Sequence, residues 1–182
     1  MSKHSTQTHY PTQTIKQATE SHTLSVLVDN EPGVLARVIG LFSGRGYNID
    51  SLTVSETEHE KHQSRITVVT SGTPGVIEQI KHQLERMVPV HRVVDLTVRG
   101  DALERELALI KVSGTGEKRV EALRLAQTFG ARTIDATLTS FVFELTGEVR
   151  DIERFIKLMT SVGLIEVSRT GVAAIARGGE AM

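Results

Sequence analysis

The histidines are the side chains here with the most evident chemistry, since imidazole ligates metals and exchanges protons near neutral pH. His59 and His62 lie three apart in HEKH, but they fall in a predicted hairpin turn without further ligands, which favours a solvated loop. His4, His9 and His22 are scattered through a polar N-terminal stretch and are typical of solvated side chains. The sequence has no cysteine, which excludes disulfides and thiolate ligands. No metal site is therefore expected.

A glycine-rich stretch, Ser113 to Arg119 (SGTGEKR), precedes a predicted helix in the way a phosphate-binding loop does. It lacks the first glycine and the Lys-Ser/Thr pair of that motif, and a strand-to-helix turn needs glycine in any case. No nucleophile, acid–base pair or metal cluster stands in a setting that catalysis requires. The sequence therefore predicts a protein without catalytic residues and without a cofactor of its own.

The turn from Asp29 to Leu35 (DNEPGVL) has the residues that a free amino acid would need. It joins a strand end to a helix start, where free N–H groups and the positive end of the helix dipole suit a carboxylate. Asn30 offers a donor and an acceptor, Gly33 has no side chain to block the helix start, and Val34 and Leu35 offer apolar contact. The same residues are also ordinary helix-capping chemistry. From the residues alone the two interpretations are comparable.

The elements around this turn follow the order β-α-β-β-α-β. A strand begins at Thr23, a helix follows the turn and is ended by Gly44 and Gly46, and YNIDSLTVSE predicts a strand with a bulge at Asp50-Ser51. RITVVT, a helix opened by Pro74 and VHRVVDLTV complete the unit, which is the ferredoxin-like split βαβ motif. Right-handed crossovers place both helices on one face of an antiparallel sheet.

The second half repeats this order. ELALIKV, a helix over Glu117–Phe129, ARTIDAT, SFVFELT, a helix over Val149–Val162 and LIEVSRT follow each other. The predicted fold class is therefore α+β, with two ferredoxin-like βαββαβ domains. The expected organisation is a disordered tail over 1–21, a first domain over 22–98, a charged linker over 99–106 (RGDALERE) and a second domain over 107–182.

Composition narrows the classes of function. The formal net charge of -1 argues against nucleic acid as a partner, because phosphate neutralisation needs a surplus of Lys and Arg. No apolar run is long enough to span a bilayer and no secretory signal is evident, so no membrane association and a cytoplasmic location are expected. Two small domains bury a modest fraction of their surface, which favours oligomerisation.

The run from Asp29 to Val54 (DNEPGVLARVIGLFSGRGYNIDSLTV) resembles the signature of ACT domains, specifically those of acetohydroxyacid (acetolactate) synthase regulatory subunits. The strand, N-x-P-G-x-L and helix are the general pattern; the extension through Tyr47 and Val54 is the more specific part. The resemblance covers residues 22–178, including ERELALIKV and the closing RTGVAAIARG. The long hairpin and the N-terminal tail depart from the pattern, away from the candidate turn.

The resemblance implies an ACT domain followed by a second ferredoxin-like domain, and a dimer in which two ACT sheets join edge to edge. It also implies that valine, or a related branched-chain amino acid, binds at that interface. Carried over to this sequence, the valine-binding residues of one chain are Asn30, Gly33, Val34 and Leu35, and those of its partner are Asn48 and Ile49. Second-tier positions that affect feedback sensitivity are Thr53, Ser55 and Gln79.

The resemblance further implies a partner enzyme, the catalytic (large) subunit, which carries thiamine diphosphate, Mg²⁺ and FAD and joins two 2-ketoacids. The small subunit activates that enzyme and confers feedback inhibition in branched-chain amino-acid biosynthesis. Three alternatives differ in class: a stand-alone enzyme, an ACT-containing transcriptional regulator and a ligand-free interaction module. The charge balance and the lack of a helix-turn-helix segment stand against the regulator.

Overall fold

The computed structural model describes residues 18–58, 62–98, 100 and 102–179. The N-terminal unit contains, in order, β1 (Glu20–Asp29), α1 (Val34–Arg45), β2 (Ser51–Glu58), β3 (Gln63–Gly72), α2 (Pro74–Glu85) and β4 (Val90–Asp95). Its four strands pair antiparallel in the order β2-β3-β1-β4, so β2 and β4 are the edges of the sheet. This is the predicted βαββαβ topology.

The C-terminal unit contains β5 (Ala102–Ser113), α3 (Glu117–Phe129), β6 (Arg132–Ala136), β7 (Ser140–Gly147), α4 (Val149–Val162), β8 (Leu164–Arg169) and β9 (Ala173–Ala176). The sheet order is β6-β7-β5-β8, again antiparallel, and β9 pairs with the first residues of β5. The prediction of two ferredoxin-like units is confirmed, with β9 as an addition.

Each unit has its own apolar core between its helices and one face of its sheet. In the C-terminal unit α4 shows why: Ile152, Phe155, Met159 and Val162 recur at helical spacing and are all buried. A third, smaller cluster of Leu96, Val172 and Ala174 lies on the junction of the two units. No helix in the described part of the chain is long and apolar enough to span a membrane.

Four sequence expectations differ from the structure. The strand β1 begins at Glu20, inside the predicted tail, and His22 is buried, with its Nδ1 2.8 Å from Oδ2 of Asp95, rather than solvated. The last five residues of the predicted linker, from Ala102, belong to β5. The predicted bulge at Asp50-Ser51 is wrong, because β2 begins at Ser51 and its register shift lies between Glu56 and Glu58.

Candidate functional site

The start of α1 is an open, uncapped helix terminus. Gly33 occupies the N-cap position with φ 86°, a left-handed conformation that glycine adopts without steric cost, so the helix proper begins at Val34. No side chain caps this end and no acidic residue stands in its first turn. A Cβ on Gly33 would meet nothing within 4 Å. The N–H of Val34 donates to the Glu31 carbonyl oxygen at 3.3 Å, and the positive end of the helix dipole lies beside this open position.

Asn30 does not cap this helix. Its backbone N–H donates to the carbonyl oxygen of His62 at 2.7 Å, while its side chain is exposed and makes no hydrogen bond to the described residues. Val34 is buried in the core below, and Leu35 is 38% exposed beside the turn. Gly33, rather than Asn30, is thus the N-cap residue, and both interpretations of this turn, helix capping and ligand binding, stay open.

The second group of candidate residues lies just before β2. Asn48 is exposed, and hydrogen bonds fix both its backbone and its side chain. Its backbone carbonyl oxygen accepts from the Thr70 hydroxyl at 2.6 Å, and its side-chain amide donates to the Asp50 carboxylate. Asp50 in turn accepts from the Ser71 hydroxyl at 2.6 Å. Ile49 packs against the N-terminal core. The Asn48 amide is therefore pre-oriented at the surface by its neighbours.

These two groups lie at opposite ends of the sheet within one chain. Ser51 pairs with Val69, and Val69 pairs with Thr23, so the start of β2 is level with the start of β1. Asn30 lies seven residues further along, which corresponds to roughly 23 Å at about 3.3 Å per strand residue. A single chain therefore does not bring Asn30 and Asn48 together around one small ligand.

The second-tier positions fall in two places. Gln79 on α2 lies at the Asn48 end, where its Oε1 accepts from the Tyr47 hydroxyl at 3.4 Å. Thr53 and Ser55 lie on the sheet face opposite the helices and line a groove of about 640 Å³ that also involves β9. Thr53 donates from its hydroxyl to the carbonyl oxygen of Val172 at 2.8 Å, which ties β2 to the C-terminal unit.

The strongest electrostatic feature lies at the junction of the units. The buried carboxylate of Glu106 accepts from Nε and a terminal guanidinium nitrogen of Arg169 at 2.9 and 2.6 Å. These hydrogen bonds raise the pKa of Arg169 above its ordinary value. Within the described residues, no group of three or more His, Asp or Glu side chains is arranged to hold a metal ion.

Two family models match the chain: one described as an AHAS small subunit-like ACT domain over residues 24–92, and one described as the small subunit of acetolactate synthase over 105–178. The probable acetolactate synthase small subunit of Archaeoglobus fulgidus is 45% identical over 86% of this chain and 97% of its own length. The chain belongs to the acetolactate synthase small-subunit family. The isozyme 3 small subunit of Escherichia coli is 42% identical over 87% of this chain and 97% of its own.

A solved acetolactate synthase small subunit from Thermotoga maritima has the same architecture, with a TM-score of 0.78 and 36% identity over 88% of this chain and 99% of that one. Membership in this family confirms the prediction of a regulatory, non-catalytic subunit with an ACT domain. It decides against the stand-alone enzyme and the transcriptional regulator. The small-subunit family also implies a catalytic large-subunit partner.

The small-subunit junction involves residues that the sequence interpretation did not single out. Ser51 and Val172 join the ACT domain to the C-terminal unit through a side-chain-to-backbone hydrogen bond, and Gly171 is held beside them by its N–H bond to the Glu106 carboxylate within the C-terminal unit. Partners such as Ser51 and Val172 lie 121 residues apart in the chain, so no local spacing relates them. Gly171 was visible only as the glycine of the closing RTGVAAIARG stretch.

Proposed function

We propose that this chain binds valine at its ACT domain, activates the catalytic subunit of acetolactate synthase and confers feedback inhibition by that amino acid. The observation that carries the proposal is the start of α1, where a helix terminus without a side-chain cap, a Gly33 with open space beside it and an Asn30 side chain with no hydrogen bond to the described residues stand together. The N–H groups of the first turn suit the ligand carboxylate. The side-chain oxygen of Asn30 suits its ammonium group.

A second protomer would complete the site. The outer edge of β2 is unpaired within the described sheet, and Val54 on that strand is 45% exposed. If two β2 strands pair antiparallel about a two-fold axis, the start of one lies beside the end of the other. The end of β2 is level with residues 63–64 of β3, and therefore with Val28 and Asp29. Such a dimer carries the partner copy of Asn48 and Ile49 to the end of the sheet where Asn30 lies.

The ligand class follows from the groups available. Leu35 and the partner copy of Ile49 would offer aliphatic contact, which fits a branched aliphatic side chain better than a charged one. Discrimination among valine, leucine and isoleucine rests on pocket size, worth roughly 1–3 kcal/mol per methylene. Valine is the proposed ligand within the branched-chain class.

The regulatory effect requires that the ligand prefer one arrangement of the protomers. A ligand held between two chains changes their relative placement by its differential affinity for the two arrangements, typically about 1–3 kcal/mol. The catalytic subunit would supply thiamine diphosphate, Mg²⁺ and FAD and would join two 2-ketoacids. The small subunit would set its rate in cytoplasmic branched-chain amino-acid biosynthesis, and it would do no chemistry itself.

The test is reconstitution. The full chain is mixed with its catalytic subunit, acetolactate formation from pyruvate is measured, and valine is titrated; in parallel, calorimetry measures binding of valine, leucine and isoleucine to the chain alone. We expect activation on mixing, inhibition by valine and saturable heat with valine. Activation of the catalytic subunit without a calorimetric signal and without inhibition by valine would mean that the chain is an activating module that binds no amino acid. The absence of any activation would contradict the proposed partnership.

A further inference from the structure

Residues 170–172, called here the strap, connect β8 to β9 and lie directly against β2. The backbone N–H of Val172 donates to the Ser51 hydroxyl oxygen at 2.8 Å, and the Val172 carbonyl oxygen accepts from the Thr53 hydroxyl at 2.8 Å. Both backbone groups of one strap residue are thus satisfied by side chains two positions apart on β2. The Val172 side chain is buried in the junction cluster. The position of Val172 is therefore fixed relative to β2 by these contacts.

The other side of the strap is attached to β5 of the C-terminal unit. The N–H of Thr170 donates to the carbonyl oxygen of Leu107 at 3.0 Å, and the N–H of Gly171 donates to the Glu106 carboxylate at 3.2 Å. The same carboxylate holds Arg169, the last residue of β8, through two further hydrogen bonds. Charge-assisted hydrogen bonds of this kind are stronger than neutral ones. The strap is consequently bonded to β5 of the C-terminal unit through Thr170 and Gly171 and to β2 of the ACT domain through Val172.

The contact leaves no free space. Gly171 has φ 83°, and a Cβ there would lie 2.7 Å from the Ser51 hydroxyl oxygen and 3.1 Å from Cγ2 of Thr53. Backbone is packed against strand at van der Waals distance, so a displacement of Ser51 displaces the strap or breaks its hydrogen bonds. Ser51 is the third residue after Asn48, the residue proposed to contact ligand from the partner protomer.

We infer that Ser51 and Gly171 couple the ligand site to the C-terminal unit, so that occupancy at Asn48 changes the strap and with it the β5–β9 ribbon. The inference rests on the proposed function, because it takes a ligand at Asn48 as its starting point. Ser51 and Gly171 act as positioning residues and do not touch the ligand. Coupling runs through contacts that connect two units physically.

Two substitutions test the strap. Ser51→Ala removes the acceptor of the Val172 N–H without adding bulk, and Gly171→Ala places a methyl group against Ser51. Thr57→Ala is the matched control, since Thr57 also lies on β2 but makes no hydrogen bond to any described residue. Each full-length variant is examined by calorimetry with valine and by amide hydrogen exchange of the peptide covering residues 170–176, with and without valine.

We expect valine to change the amide hydrogen-exchange rate of this peptide by at least about threefold in the wild-type chain and in Thr57→Ala. This rate depends on the free energy of local opening, which changes when the contacts of the segment change. In Ser51→Ala and Gly171→Ala the change should fall below about 1.5-fold, because Ser51→Ala removes one of the two hydrogen bonds between Val172 and β2 and the added methyl group of Gly171→Ala pushes the strap away from Ser51. Their dissociation constants for valine should stay within about threefold of wild type, since the ligand contacts are intact. If Gly171→Ala does not fold, Ser51→Ala alone decides the test.

The outcomes separate the two proposals. A wild-type chain that does not bind valine contradicts the proposed function. A wild-type chain that binds valine without a change in residues 170–176, or a Ser51→Ala variant that keeps the full change, overturns the coupling role and leaves the proposed function standing. Loss of valine binding in Ser51→Ala also overturns it, because Ser51 would then belong to the ligand site.

Discussion

Gly33→Asp is the substitution that separates ligand binding from folding most sharply. Gly33 stands at the N-cap of α1 with nothing within 4 Å of an added Cβ, so an aspartate side chain has room. Its left-handed backbone costs an L-residue about 1 kcal/mol, and aspartate is among the residues that tolerate it best. A carboxylate at a helix N-terminus recovers about 0.3–1 kcal/mol through the dipole. The free energy of unfolding should therefore change by less than about 1 kcal/mol.

The effect on binding should be much larger. The new carboxylate would stand among the N–H groups proposed to hold the ligand carboxylate. Two like charges about 4 Å apart repel by about 4 kcal/mol at an effective dielectric constant of 20. That energy corresponds to a loss of about a thousandfold in affinity. Feedback inhibition should disappear, while activation of the catalytic subunit, which does not depend on the ligand, should be largely retained.

The assay compares wild type, Gly33→Asp and Gly33→Asn in calorimetry with valine, in the valine dependence of the reconstituted enzyme and in urea unfolding. Gly33→Asn has nearly the same shape without the charge, so it should lose less affinity than Gly33→Asp. Equal losses in the two variants would refute the repulsion argument and leave only obstruction of the space. Valine sensitivity equal to wild type in both variants would refute the proposed site.

Three further outcomes are expected. Val54→Lys should weaken dimerisation at least about tenfold in sedimentation equilibrium without unfolding the chain, since Val54 is exposed on an edge strand; an unchanged dimer would exclude the β2 edge. Gly163→Ala should reduce the free energy of unfolding by about 2–4 kcal/mol, because its Cβ would lie 2.1 Å from a β5 carbonyl oxygen. Gly130→Ala, where the added Cβ has open space, should reduce it by about 1 kcal/mol. Equal losses for the two variants in urea unfolding would contradict this. The hydrogen bond and charge of Lys111 lower the pKa of Glu166, so Lys111→Met should raise that pKa in an NMR titration. The stabilisation from this pair is present above the unfolded-state pKa of Glu166 and is lost as the pH falls through the lowered value. An unchanged Glu166 pKa would show that the pair does not form in solution.

The order of elements was predictable because each has a local periodic pattern. The helix over Val149–Val162 was predicted to the residue, since its apolar positions recur at helical spacing and Gly163 follows its last residue. The slip between Ile49 and Leu52 misled the strand prediction, because Ile49 packs into the core from outside the strand. Alternation of apolar residues does not distinguish a strand from a buried loop beside it.

Charged residues were the other source of error. Glu106 falls in the predicted charged linker, although its side chain is buried and bonded to Arg169, 63 residues later. His22, interpreted as solvated, is likewise buried and bonded to Asp95, 73 residues away, which joins the first strand of the ACT domain to its last. Burial of a charge depends on a partner, and a partner brought by the fold rather than by the sequence leaves no local signal.

The separation of Asn30 from Asn48 has a consequence for how such a site works. If each half of the proposed site lies on a different protomer, a monomer would have neither a complete pocket nor full affinity. A ligand that binds only the dimer stabilises it by RT ln(1 + [L]/Kd), and by linkage the dimer raises affinity for the ligand. Because β2 carries both the proposed dimer edge and the Ser51 contact to the strap, the strand that senses the partner protomer is also the one fastened to the C-terminal unit. Ligand binding, dimer geometry and the position of the C-terminal unit would then depend on one another through a single edge strand, which is how a chain without catalytic residues would affect an enzyme active site elsewhere.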